Sequence, residues 1–156
     1  MSQSGMANIK MSLDRHIHDN ISGVSVDYEG VPFSNLEANK WIQPRVMDVS
    51  SNFHRQSNSS GTSYGETANI FFNINCFVKK GTTRKAHEHY ILRDTVAEQF
   101  TIGKDITIRD YVGNGSSIAS MRVRSIVTDR PLMETNKHLG YAFAVELDYT
   151  RQTTKP

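Results

Sequence analysis

Two histidine pairs are the first residues in the chain whose types could do chemistry, His16-Ile17-His18 and His87-Glu88-His89. Both fall where the apolar spacing predicts helix, and residues i and i+2 of a helix project about 200° apart. Such a pair does not close on one ion, unlike the i, i+4 pair of zinc peptidases. Solvated or core-edge histidines are expected, and no metal site. Cys76 is the single cysteine, which rules out an internal disulfide and any multi-cysteine zinc site. It lies between Ile74 and Val78 on the apolar side of a strand pattern, where a thiolate nucleophile is desolvated and disfavoured. Gly113-Asn114-Gly115 lacks the helix and lysine that follow a phosphate-binding loop, and reads as a turn. The acidic residues are scattered, without the close pair in an apolar setting that acid–base catalysis needs. The chain is therefore expected to be neither an enzyme nor a cofactor protein.

Binding chemistry is better represented. Lys79, Lys80, Arg84 and Lys85 gather at the predicted start of a helix and make a candidate anion contact, against the plainer reading of a solvated charged patch. Arg122 and Arg124 alternate on a strand and form a second, smaller candidate. Phe71 and Phe77 could stack bases, as sheet-surface binders of single strands do, but no basic residue lies between them. Lys and Arg number 18 and Asp and Glu 16, a net charge of +2, short of the excess typical of duplex-binding domains.

The elements that would position these residues can be read from periodicity. Ile, Leu, Val and Phe make up 36 of the 156 residues, enough for one core and a single domain spanning 1–156. No run of eighteen apolar residues is present, so no membrane contact is expected, and residues 1–10 lack the apolar core of a signal peptide. Synthesis and residence in a cytoplasm are expected. Residues 1–5 and 151–156 read as frayed ends. Ile9, Leu13, Ile17 and Ile21 recur every four residues and predict a helix over 6–20. Val24, Val26 and Tyr28 alternate as a short strand. Residues 40–50 alternate next, with Trp41, Gln43, Arg45, Met47 and Val49 opposed to Ile42, Pro44, Val46 and Asp48. Pro44 has no N–H for a ladder, so this strand should lie at an edge or carry a bulge. Residues 50–66 hold 11 Ser, Thr, Asn or Gly in 17 positions and read as a flexible polar loop. From Thr67 to Lys79, Ile70, Phe72, Ile74, Cys76 and Val78 take a core face, and Phe71, Asn73, Asn75 and Phe77 the other.

A second helix is predicted over 84–100, capped by Thr82 or Thr83, with Leu92, Val96 and Phe100 on its core side. Asn114-Gly115, lengthened by its flanking Gly and Ser residues, predicts a hairpin between strands at 105–112 and 118–129. A last strand over 140–150 sets Tyr141, Phe143, Val145, Leu147 and Tyr149 against Ala142, Ala144, Glu146 and Asp148. Two helices for five to six strands predict an α+β fold, a mostly antiparallel sheet with both helices on one face.

This order resembles the tail terminator (tail completion) proteins of long-tailed bacteriophages over nearly the whole chain. The resemblance is carried by Val31-Pro32-Phe33, by Trp41-Ile-Gln-Pro-Arg-Val46, by the strand Ile70–Val78, by the following helix, and by Tyr141-Ala-Phe-Ala-Val-Glu-Leu-Asp-Tyr149. It implies a hexameric ring that ends the tail tube, joins it to the head connector and lets DNA pass without specific binding. Its partners would be copies of itself, the tail tube protein and a head connector or neck protein, in a virion assembled in the host cytoplasm. On that reading Trp41, Arg45, Phe71, Asn73 and Phe77 contribute to the subunit interface. Phe53, His54, Arg55 and Tyr64 lie in the loop facing the lumen. A neck protein of the same virion, or a single-stranded nucleic-acid-binding module, are the alternatives.

Overall fold

Two helices and six strands follow one another in the order α1 (Met6–Asn20), β1 (Ser25–Val26), β2 (Lys40–Ser57), β3 (Ser63–Lys79), α2 (Glu88–Glu98), β4 (Asp105–Arg109), β5 (Ser117–Pro131) and β6 (His138–Thr154). The computed structural model describes residues 5–34, 38–57, 63–81 and 87–154, with side chains at 5–34, 38–50, 67–81 and 87–149. The strands form one curled sheet in the order β1-β2-β3-β6-β5-β4. Only the β1–β2 pairing is parallel.

The period-two pattern decides which face is core. Ile70, Phe72, Ile74, Cys76 and Val78 of β3 are buried beside Tyr141, Phe143, Val145, Leu147 and Tyr149 of β6. Both helices lie on this face. Ile9, Leu13 and Ile17 of α1 are buried, as are Leu92 and Val96 of α2 and Phe100 just beyond it. Each such side chain contributes about 1.5–3 kcal/mol by leaving water. The α+β architecture expected from the sequence is the one observed.

Two polar residues on the core side of α1 fix its position. Ser12 Oγ accepts the Arg109 N–H at 3.0 Å. Asn8 donates to Asp110 Oδ1 at 3.1 Å and accepts the Val112 N–H at 3.1 Å. Each therefore satisfies a backbone N–H at the end of β4 or just beyond it, which is why polar groups are tolerated in that position.

His16 bonds α1 to the end of α2. Its Nε2 meets the Gln99 carbonyl at 2.8 Å, its Nδ1 meets the Asn20 amide at 3.2 Å, and its ring stands edge-on to Phe100. A carbonyl only accepts, so Nε2 carries the hydrogen and Nδ1 is left to accept. This requires the neutral ring, and burial accordingly holds the His16 pKa below its ordinary value. The unfolded chain takes up a proton below about pH 6.5 while the folded chain resists, so stability falls as pH drops through that window. His89 is shifted the same way by burial and adds to the slope. In denaturant titrations at pH 8 and pH 5, wild type should lose more stability than His16→Gln. Parallel losses would sink this account of His16.

Several sequence expectations are corrected. Residues 50–66 are not a loop through most of their length. β2 continues to Ser57 and β3 starts at Ser63, paired from Ser50↔Asn69 to Ser57↔Tyr64, and residues 58–62 lie outside the described residues. The polar C-terminal segment is likewise strand to Thr154, paired from Thr67↔Thr150 to Ser63↔Thr154. Low hydrophobicity removes burial as a driving force, but the start of β3 bonds to both β2 and β6, and each of those segments bonds to β3 in turn, so ladder hydrogen bonds hold this backbone without it.

The alternation in β2 reverses at a bulge between Val46 and Asp48, so Asp48 joins the face of Trp41, and Val49, paired with Ile70, the opposite one. Helix α2 starts at Glu88 with His87 as N-cap, and the acidic Glu88 suits the positive end of the helix dipole. Thr82 and Thr83 lie outside the described residues. The β4–β5 connection is longer than a two-residue turn. Gly115 has φ 76°, no non-glycine residue has positive φ among the described residues, and Asp110 O accepts the N–H groups of Gly113 and Gly115. Only one left-handed residue is needed because Asp110, through its carbonyl and carboxylate, organises the turn.

Both long edges of the sheet are blunted. β1 covers β2 only at Trp41 and Ile42, and β4 reaches along β5 only to Arg122. Beyond those points Pro44 offers no N–H, its carbonyl accepts from Arg45, the Val49 N–H is taken by Asp48 Oδ1, and the bulge displaces Met47. On β5, register shifts set Arg124 and Val127 outside the ladder, and the strand ends at Pro131. Such devices stop indiscriminate strand addition. Pro44 thus has the edge position and the neighbouring bulge that its missing N–H demands.

Candidate functional site

The sheet face turned away from the helices holds all five residues expected at a subunit interface. Register places them in rows across β2, β3 and β6. Trp41 faces Phe77, which faces Gly140. Gln43 faces Asn75 and Ala142, Arg45 faces Asn73 and Ala144, and Asp48 faces Phe71 and Glu146.

The first row is aromatic. Trp41 and Phe77 stack at 5.3 Å between ring centroids, 25° apart. His138 stands edge-on to Phe77 at 5.3 Å and also meets Trp41, and Phe33 closes the other side of Trp41 at 6.3 Å. Trp41 is left 5 % exposed on a face that no helix covers, because its neighbours cover it. Gly140 makes this possible. A Cβ there would come within 3.2 Å of the Phe77 ring and 3.1 Å of Leu132. With the Phe77 ring committed to Trp41 and His138, stacking of a base on it is disfavoured.

The middle rows are amide and alanine. Asn73 donates to Asn75 Oδ1 at 3.0 Å. Arg45 is turned inward: its Nη1 donates to the Asp27 carbonyl at 2.6 Å, its Nη2 reaches Asp27 Oδ1, and Gln43 donates to Asp27 Oδ2 at 3.0 Å. Arg45 and Gln43 therefore tie the segment after β1 to the sheet. One row past Phe71, the Asn69 side-chain oxygen is buried and finds no donor among the described groups.

The remaining candidates are placed as follows. Phe53, His54, Arg55 and Tyr64 belong by backbone to β2 and β3, and their side chains lie outside the described residues. Lys79 is opposite His138. Lys80 is ion-paired with Glu134, and Arg84 and Lys85 lie outside the described residues. Arg122 pairs with Asp105 at 3.0 Å, and Arg124 reaches Asp148 at 3.7 Å. Cys76 is fully buried, and burial pushes its thiol up to about 12. His18 is exposed while His16 is turned into the helix contact, so the two diverge.

Phe33, His138, Gly140 and Asp27 complete this face and were not legible as such. Phe33 lies on a connection outside any alternation, and Asp27 reads only as a polar position within the Val24–Tyr28 alternation. His138 and Gly140 open β6, and their part in the cluster follows from their register with Lys79 and Phe77.

A scan of known protein families finds no match, and no curated protein matches either. Eighteen solved chains match in fold. One of them, known by a bare sequence identifier, superposes with a TM-score of 0.61 over 98 % of this chain and 99 % of its own, at 13 % identity. That similarity concerns the fold alone.

Proposed function

We propose that this chain is a non-enzymatic phage virion protein, a tail terminator that forms a ring on the finished tail tube. The ring, hexameric by resemblance, joins the tube to a head connector or neck protein and surrounds passing DNA. The observation that carries this reading is the division of the sheet into two unlike faces. One face bears both helices and the core. The other is a run of aromatic, amide and alanine rows, and the strand pairing continues beyond Ala68 and Tyr149 through segments of polar sequence. A surface of that composition suits contact with other proteins, with aromatic anchors beside amides that hydrogen-bond across an interface. The sequence resemblance supplies the identity of those proteins.

The test is negative-stain electron microscopy of the purified chain, alone and mixed with phage tail tubes. Rings, or density capping one end of each tube, are the expected result. Monomers that leave tube ends bare would remove the terminator reading.

A further inference from the structure

One dipeptide in the chain carries a reactivity of its own. Asn114-Gly115 is the only Asn-Gly pair in the sequence, and Asn114 is exposed on the connection between β4 and β5. In such a pair the glycine nitrogen, with no side chain beside it, attacks the asparagine side-chain carbonyl carbon and expels ammonia. The reaction needs a Gly115 N–H free to give its proton to solvent and an Asn114 side chain free to swing over that nitrogen. The turn withholds both. The Gly115 N–H donates to the Asp110 carbonyl at 2.7 Å, and the Gly115 carbonyl accepts from Arg109 Nη1 at 3.4 Å. Asn114 Oδ1 accepts the Ser116 N–H at 3.0 Å. The Asp110 carboxylate takes the Gly113 N–H at 3.0 Å and lies where a Cβ on Gly113 would collide with it. Helix α1 holds this arrangement through Asn8, which is buried, donates to the Asp110 carboxylate and accepts the Val112 N–H, each at 3.1 Å.

We propose that Asn114 is a conditional modification site, closed while α1 is seated on the turn and opened when Asn8 lets go of it. The step needs water and hydroxide alone. The Gly115 nitrogen loses its proton to hydroxide and bonds to Asn114 Cγ. The Cγ–Nδ2 bond breaks, and the nitrogen leaves as ammonia with a proton taken from water. A second water opens the five-membered imide at either carbonyl, giving aspartate or isoaspartate at position 114. Either product adds a negative charge to a turn that already holds the Asp110 carboxylate. Isoaspartate also carries the main chain through one extra methylene, so the Gly115 N–H no longer meets the Asp110 carbonyl as before. A transient release of α1 is thereby recorded as a covalent mark, whether or not the chain forms a ring.

The experiment incubates the full chain in mildly alkaline buffer, folded and in denaturant, and follows the amide-to-acid mass change in the peptide that contains residue 114. Denatured wild type should convert at least about tenfold faster than folded wild type, the factor that one hydrogen bond of ordinary net strength supplies. Folded Asn8→Ala, shown by its melting curve to be native at the incubation temperature, should convert several-fold faster than folded wild type. Alanine keeps the helix propensity of α1, so the variant removes the contact and spares the element. Hydrogen exchange on wild type gives a second reading that needs no variant. The Gly115 and Val112 amides should be slowed together, since release of Asn8 frees both. Folded wild type converting as fast as denatured chain, or a Gly115 amide exchanging without protection, would overturn the closure. Asn8→Ala converting no faster than wild type overturns the control by α1. An amide-to-acid change that persists in Asn114→Gln places the reaction on another residue and overturns the assignment.

Discussion

Phe100→Ala is expected to be among the most destabilising single changes in the protein, at roughly 3–5 kcal/mol. Phe100 has no exposed surface and touches three elements. Its ring meets His16 of α1 at 5.2 Å and Phe72 of β3 at 5.8 Å, and its N–H bonds back to the Ala97 carbonyl at the end of α2. Truncation opens a void where both helices and the sheet meet, and the surroundings cannot collapse without moving a helix. At about 2–4 °C per kcal/mol for a chain of this size, the melting temperature should fall by on the order of 10 °C. Phe100→Leu keeps most of the volume and should cost less than about 1.5 kcal/mol. The void also admits water beside His16, so in Phe100→Ala the His16 pKa should move back up toward its ordinary value. Thermal melts test the first claim and histidine NMR titration the second. An alanine variant that melts within a few degrees of wild type would show that the helices are held elsewhere.

Trp41→Ala is the second large effect, with an expected loss of roughly 3 kcal/mol. The value sits at the low end for a tryptophan because the cluster of Phe33, Phe77 and His138 borders solvent and can close in part. Trp41→Phe keeps a ring against Phe77 and should retain most of the stability. The functional expectation separates the two variants further. Assayed well below either melting point, Trp41→Phe should still cap tail tubes, while Trp41→Ala should not, since Phe77 loses the ring it stacks on. Both variants capping alike would take the aromatic row out of the assembly surface while leaving its structural role intact. Trp41 is the only tryptophan, so wild-type intrinsic fluorescence reports on this cluster directly.

Much of the fold was legible because burial writes itself into periodicity. Ile9, Leu13 and Ile17 could only face one way on a helix, and Ile70 through Val78 could only be one side of a strand. Pro44 announced an edge by lacking a donor. What stayed hidden was everything decided by backbone pairing. Residues 50–57, 63–66 and 150–154 carry little apolar signal, and their strand state follows from ladder pairing that no apolar spacing marks. Bulges are equally silent in a sequence. Met47 sits in phase with Trp41, Gln43 and Arg45 until the register shift turns it out of the ladder, and Val127 looks like one more alternating residue. The candidate interface was legible in two pieces, Trp41 and Arg45 on one side of one strand and Phe71, Asn73 and Phe77 on one side of another, and the register joins them on one sheet face. Its finer assignments were not. Arg45 proved to be bound to Asp27, and Trp41 to be covered by Phe33 and His138, residues that no spacing rule connects to it.

The blunted edges have a further consequence, for selectivity. A bare strand edge is blind to sequence: any extended backbone, from any protein, satisfies its N–H and C=O groups equally well. In a crowded cell such an edge recruits whatever chain is unfolded nearby. Closing the two edges with a proline, an arginine on a carbonyl, an aspartate on an amide and shifts of register silences that promiscuous code. What remains exposed there is side-chain identity, which only a chosen partner can read.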